Sequence, residues 1–255
     1  RSSDPELLRN HLGLDPVGRL ARTGYSVLPL EQEIKQCVDT TNEVASRYPN
    51  VIPIAIDGSV WANGGASDSQ ELGAILSAGV LWIRALLESG LSINDVSDKL
   101  EITLTVGPDQ FLNTAKIRAA RVCWAQVISA CGGSSSQNPV TIHAQTAQAM
   151  LTKTDSWVNM LRATTACFAA AAGGADAITV APFDDALGLS NDMGLRLARN
   201  TQLILQEETK LSAVIDPAGG SWYVEELTDQ VANSAWETFQ DLERQGGLGV
   251  ALLSG

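Results

Sequence analysis

VIPIAIDGSVWANGGASDSQELGAILSAGV, residues 51–80, decides the fold. It begins with an unbroken apolar run, Val51-Ile52-Pro53-Ile54-Ala55-Ile56, which reads as a buried strand. A glycine-rich turn follows, IDGSVWANGG, and then a helix start. Ser67 and Gln70 have the spacing of a capping box. Leu72, Ile75, Leu76, Gly79, Ile83 and Leu86 fall on one helical face, and Gly90 marks the stop. Strand, turn and helix in this order form the unit of an α/β fold, and such turns are where α/β enzymes keep their chemistry. Yet Ser59, Val60 and Trp61 supply no strong acid, base or metal ligand.

The same rhythm recurs downstream. A strand at 102–106 precedes a helix opened by Pro108-Asp109, with Leu112, Ala115, Ala119, Val122 and Cys123 on one stripe and Gly132-Gly133 at its end. A strand at 140–143 precedes a helix over about 155–172, closed by Gly173-Gly174. Strands at 177–180 and 213–215 precede helices over about 191–208 and 224–245. That makes five β/α units, and their strands read as continuous apolar runs, as in a parallel sheet covered on both faces. Residues 1–50 form an N-terminal helical segment joined to the barrel-like part, with helices at 13–24 and 31–47 and no convincing strand. A complete (β/α) barrel needs eight strands. The chain is therefore an open α/β sheet, or residues 51–255 are the C-terminal part of a TIM-type barrel whose early strands are missing. GGSSSQN, 132–138, is the most flexible-looking stretch.

Composition narrows the function classes. The 255 residues carry a formal charge of −12, which disfavours nucleic acid and anionic membrane as partners. No apolar run reaches the roughly 18 residues of a membrane span, and RSSDPELLRN has no apolar signal core, so the expected location is cytoplasmic. Cys37, Cys123, Cys131 and Cys167 lack Cys-x-x-Cys spacing and read as free thiols. The two histidines, His11 and His143, are too few for a His-rich metal site.

Candidate working groups lie at the strand ends. Asp57 is a possible base, or a turn aspartate bonding local amides. Lys99 is a possible phosphate contact, or half of a solvated charge pair. TIHAQT, 141–146, is the richest: His143, Gln145 and Thr146 could hydrogen-bond a carbonyl or carboxylate, and a structural histidine is the competing reading. Asp184-Asp185 reads as a capping pair. In DPAGGSWYVE, 216–225, Trp222 and Tyr223 are expected to pack on a neighbouring helix. No dinucleotide or Walker glycine motif is present.

RLARNTQLILQEET (196–209), PFDDALGL (182–189), DPAGGSWYVEELT (216–228) and AKIRAARVCWA (115–125) resemble the substrate-binding barrel of the methylmalonyl-CoA mutase family. The resemblance runs in order from about residue 56 to 255, and LGLDPVGRLARTG (12–24) suits its small-subunit branch. It implies a cobalamin-dependent TIM-type barrel, a radical isomerisation of methylmalonyl- and succinyl-CoA driven by adenosylcobalamin, and pairing with a catalytic large subunit.

Residue by residue, the resemblance implies a lost active site. The family's Ile-Ser-Gly-Tyr-His turn has Ser59 and Val60 in place of its Tyr-His pair. Lys99 keeps the charge of the family arginine, but Glu101 stands where a neutral serine should meet CoA. His143 and Gln145 persist as vestigial substrate-binding residues. The family glutamine becomes Asp176, and its His-Thr-Asn becomes Thr179-Val180-Ala181. Neither histidine sits in Asp-x-His-x-x-Gly, so no cofactor is expected on this chain and the cobalamin-binding domain is absent from it. The expected molecule is a fragment of a non-catalytic scaffold subunit whose open edge is covered by the large subunit or by self-association. An active acyl-CoA mutase component with altered specificity, binding acyl-CoA through His143, and an unrelated metabolic α/β enzyme are the alternatives.

Overall fold

Ser67 caps the helix it was expected to open. Its side chain accepts from the Gln70 amide, and the Gln70 side chain accepts from the Ser67 amide. The computed structural model describes residues 5–134 and 139–254. A short turn at Pro5–Leu7 leads into β1 (Asn10–Leu14), α1 (Pro16–Thr23), α2 (Leu30–Arg47), β2 (Val51–Asp57) and α3 (Ser59–Asn63). Then come α4 (Asp68–Glu88), α5 (Ile93–Val96), β3 (Leu100–Val106), α6 (Gln110–Ala130), β4 (Thr141–Thr146) and α7 (Val158–Ala172). The chain continues through β5 (Ala177–Thr179), α8 (Asp192–Glu207), α9 (Trp222–Arg244) and α10 (Leu248–Ser254). The stretch 135–138, part of the expected flexible loop, lies outside the described residues, as do the first four.

The five strands form one parallel sheet in the order β1-β2-β3-β4-β5. Each strand pairs with the next in sequence, so the sheet curls in one direction into a half-barrel with helices on its convex side. β1 and β5 are the edges, and both are largely exposed.

The strands differ from expectation in three respects. First, the N-terminal segment is not purely helical: β1 pairs with β2, Asn10 beside Val51 and Leu14 beside Ile54. NHLGL escaped notice because it carries only two strongly apolar residues, and Gly13, at φ +70°, breaks its register. Second, 213–215 is not a strand. Val214 and Ile215 are exposed beyond a 3-10 turn at Leu211–Ala213. The β-branched pair Val214-Ile215 needs a neighbouring ladder, and Arg118 instead draws Asp216 towards α6 and α9. Third, the sheet is not apolar on both faces. In β3 the buried Ile102 and Leu104 alternate with Glu101 and Thr103, and in β4 Ile142 and Ala144 alternate with His143 and Gln145. The convex face is apolar under the helices, and the concave face is polar.

Helix packing fixes the convex side. The apolar stripe of α4 is fully buried from Leu72 to Leu86. α9 lies across α4 and α6. Gly73 lets α9 approach, since a Cβ there would sit 2.8 Å from the Ala235 carbonyl, and Gly79 makes room for the Trp124 ring. By length and composition α4 could cross a membrane, but 67% of its apolar window is buried in this core. On α6, Ala115, Ala119 and Cys123 are buried as the stripe requires, while Val122 is 52% exposed. The four cysteines are free; burial pushes Cys123 and Cys167 up to about 11, and Cys131 is exposed.

Candidate functional site

The turn after β2 is built around Gly58. Its amide donates to the Thr103 carbonyl at 2.9 Å. A Cβ here would lie 2.5 Å from Ile75 Cδ1, 2.6 Å from that carbonyl and 2.7 Å from Glu71 Oε1, so only glycine fits. Ser59 and Val60 begin the short helix α3 rather than lying in an open loop. Ser59 is buried, and its amide donates to Asp57 Oδ1 at 2.9 Å. Val60 presents only methyl groups. Asp57 is not a free base: Arg22 ion-pairs with its other oxygen.

Beneath the turn sits a buried ionic cluster that the sequence reading missed. Lys116, fully buried on α6, donates to Asp68 at 2.6 Å, to Glu71 and to the Thr105 carbonyl at 3.0 Å. Glu71 also accepts from the Thr105 amide at 2.8 Å and hydroxyl at 2.6 Å, replacing the partner that β3 lacks once β2 has ended. Burial pushes the Glu71 carboxyl up, against the pull of Lys116.

A cavity of about 730 Å³ runs from α1 and α2 onto the concave face, where Thr103, His143 and Gln145 line it. That volume is within the roughly 300–1,000 Å³ of small-molecule sites. Its charges are paired internally. Arg19 holds Glu33, lowering that carboxyl to about 2, and Arg22 holds Asp57. Asp15 caps α1 through the Gly18 amide at 2.9 Å and accepts from the Asp57 amide at 3.2 Å, yet burial pushes it up to about 6. A phosphate entering here would have to displace a carboxylate from each arginine.

His143 and Gln145 come together, two residues apart on the concave side of β4. Lys99 does not join them. It lies in the turn before β3, is buried rather than solvated, and donates to the Pro49 carbonyl at 3.3 Å. His143 pairs with Thr103, so Lys99 is four residues back along the strand, roughly 13 Å away. His143 instead meets Glu101, whose Oε1 lies 3.5 Å from its Nδ1, while Thr179 Oγ1 lies 2.8 Å from its Nε2. His11 turns its own Nδ1 onto Glu101 Oε2. The alternation of Glu101 and Thr103 with apolar neighbours was the signal that these groups share a face.

Other matched positions are structural ties. Asp176 accepts from the Ile142 amide at 2.8 Å and from Arg121 at 3.0 Å. Thr146 Oγ1 accepts from the Ala181 amide at 2.7 Å. Asp184 accepts from the amide of Asn191, the N-cap of α8. Tyr223 packs edge-on to Phe111, but Trp222 is 91% exposed.

Of the two imidazoles, His143 has Thr179 Oγ1 2.8 Å from its Nε2 and Glu101 Oε1 3.5 Å from its Nδ1, and His11 turns its Nδ1 onto Glu101. Among the described residues, no group of three or more His, Cys, Asp or Glu side chains could hold a metal ion.

A family model described as methylmalonyl-CoA mutase matches residues 1–255. The methylmalonyl-CoA mutase small subunit of Streptomyces virginiae is 44% identical over 98% of the chain and 40% of its own length. That of Propionibacterium freudenreichii subsp. shermanii is 38% identical over 96% of the chain and 38% of its own length. Methylmalonyl-CoA mutase of Escherichia coli K12 is 34% identical over 92% of the chain and 33% of its own length. The chain thus spans well under half the length of these relatives. The match of the family model along residues 1–255 and the identity to these relatives lead to one conclusion: the chain belongs to the methylmalonyl-CoA mutase family.

Proposed function

We propose that this chain is barrel material of a mutase small subunit, non-catalytic in itself, which stabilises a catalytic large subunit carrying out the isomerisation of methylmalonyl- and succinyl-CoA. The observation that carries the reading is the state of the positions the family uses for substrate. Val60 has no proton to give, and the His143 ring sits between Thr179 Oγ1, 2.8 Å from its Nε2, and Glu101 Oε1, 3.5 Å from its Nδ1. Relatives named as small subunits support the same assignment.

In this reading the half-barrel is part of a closed TIM-type barrel. The unpaired edges of β1 and β5 are where further strands would pair, because exposed edges are unfavourable. N-terminal residues 1–50 and the segment 51–255 are then one structural unit, since β1 already belongs to the sheet. The location is cytoplasmic, and the cobalamin belongs to the large subunit.

The test is light scattering on a sizing column, with the protein alone and mixed with a mutase large subunit from the same source. A stoichiometric complex, and no isomerisation of methylmalonyl-CoA by this protein alone with added adenosylcobalamin, is the expected result. Turnover without a large subunit, or acyl-CoA binding that weakens in His143→Ala, would instead make it an active component.

A further inference from the structure

The two histidines of the chain face the two oxygens of a single carboxylate. His11 comes from β1, Glu101 from β3 and His143 from β4, so the contact spans four adjacent strands. Glu101 is 6% exposed, and a buried carboxylate is stable as an anion only with donors on its oxygens. On β2, the residue registered with Glu101 is Ala55, whose single methyl group leaves room for the His11 ring to cross. The two arginines of the adjoining cavity are engaged elsewhere, Arg19 with Glu33 and Arg22 with Asp57, and Asp15 accepts from the Gly18 and Asp57 amides.

The carboxylate beside Nδ1 and the hydroxyl beside Nε2 favour one tautomer. A carboxylate can only accept, so it favours a proton on the nitrogen that faces it. For His143 that is Nδ1, 3.5 Å from Glu101 Oε1. Its Nε2 is then a bare lone pair, and the Thr179 hydroxyl at 2.8 Å donates to it. A thioester carbonyl needs a donor, and this ring has none left to offer.

We propose that Glu101 and Thr179 form an internal lock that holds His143 as the Nδ1–H tautomer and withdraws this ring from acyl thioesters. Glu101 is thus a specificity-determining residue that acts through His143 rather than by touching a ligand. The lock is a property of this chain's own contacts, so failure to pair with a large subunit leaves it standing.

Long-range proton–nitrogen NMR of the histidine-labelled protein tests the tautomer, with His143→Gln to assign the signals. The expected result is a proton on Nδ1 and a bare Nε2 at His143. Thr179→Val keeps the β-branched shape of an exposed strand residue and should move the Nε2 signal alone. A proton found mainly on Nε2 in the unaltered protein overturns the lock. Calorimetry with acetyl-CoA tests the consequence. Glu101→Gln combined with Thr179→Val should bind at least about tenfold more tightly than the unaltered protein, since a half-buried imidazole freed of its internal partners can donate to a new one. Equal affinity in the two folded proteins refutes the exclusion role.

Discussion

The Gly58 amide donates to the Thr103 carbonyl at 2.9 Å, joining the turn after β2 to the middle of β3. The glycine's missing side chain leaves space already filled by Ile75 and Glu71. Gly58→Ala is expected to destabilise the protein by about 1–3 kcal/mol, the range for overpacking a well-filled site. Urea unfolding measures it; a loss under about 0.5 kcal/mol would mean that the site is looser than its contacts indicate.

Lys116 answers two carboxylates from a fully buried position. Lys116→Met should cost about 3–5 kcal/mol, because it leaves Glu71 without a counter-charge in the interior. Adding Glu71→Gln removes that orphaned charge, so the double variant should be more stable than Lys116→Met alone. Simple additivity of the two single losses would contradict their coupling.

Asp15 and Glu33 give stability opposite pH slopes. Asp15 is raised from 3.8 to about 6 in the fold, so the folded state binds more protons between those values and stability falls as pH rises through them. Glu33 is lowered from 4.5 to about 2 by Arg19, so its contribution is full above pH 4.5 and lost as pH falls towards 2. Asp15→Asn keeps a good helix cap while removing the charge. Its stability relative to the unaltered protein should therefore improve between pH 4 and pH 7, by on the order of 1 kcal/mol after solvent screening. Glu33→Gln should show its largest loss at neutral pH and converge with the unaltered protein in acid. Denaturant melts at stepped pH read both, and a flat difference for Asp15→Asn would remove burial as the dominant influence on that group.

Arg118 grips Asp216 with two bonds of 3.0 Å and Glu225 with one of 2.9 Å. This contact holds Asp216 at φ +50° and keeps Ile215 and Trp222 outside. Arg118→Ala should loosen residues 211–221 with a global loss of only about 1 kcal/mol, since the cluster is partly exposed. Hydrogen exchange is the measurement. Faster exchange confined to this loop is expected, and unchanged protection would assign the loop's order to other contacts.

Most helices were legible because their signals are local. The Ser67–Gln70 box, Asp109 and Asn191 as caps, and the long apolar stripe of α4 depend on residues within a few positions of one another. β1 was not legible, because NHLGL becomes a strand only beside Val51 and its neighbours. The segment 213–215 misled for the converse reason: its residues favour a strand, but Arg118 and the lack of an adjacent ladder decide otherwise. At the site, His143 and Gln145 could be named from TIHAQT, yet their surroundings could not.

The sequence by itself determined the β/α rhythm and the family, because each is written in residue identity and short spacing. Only the tertiary structure decided that His11, Glu101 and His143 meet, that Lys99 points to the far end of the sheet, and that Lys116 lies buried beneath the Gly58 turn. Those outcomes depend on strand register and curl, which bring together side chains that lie tens of residues apart along the chain.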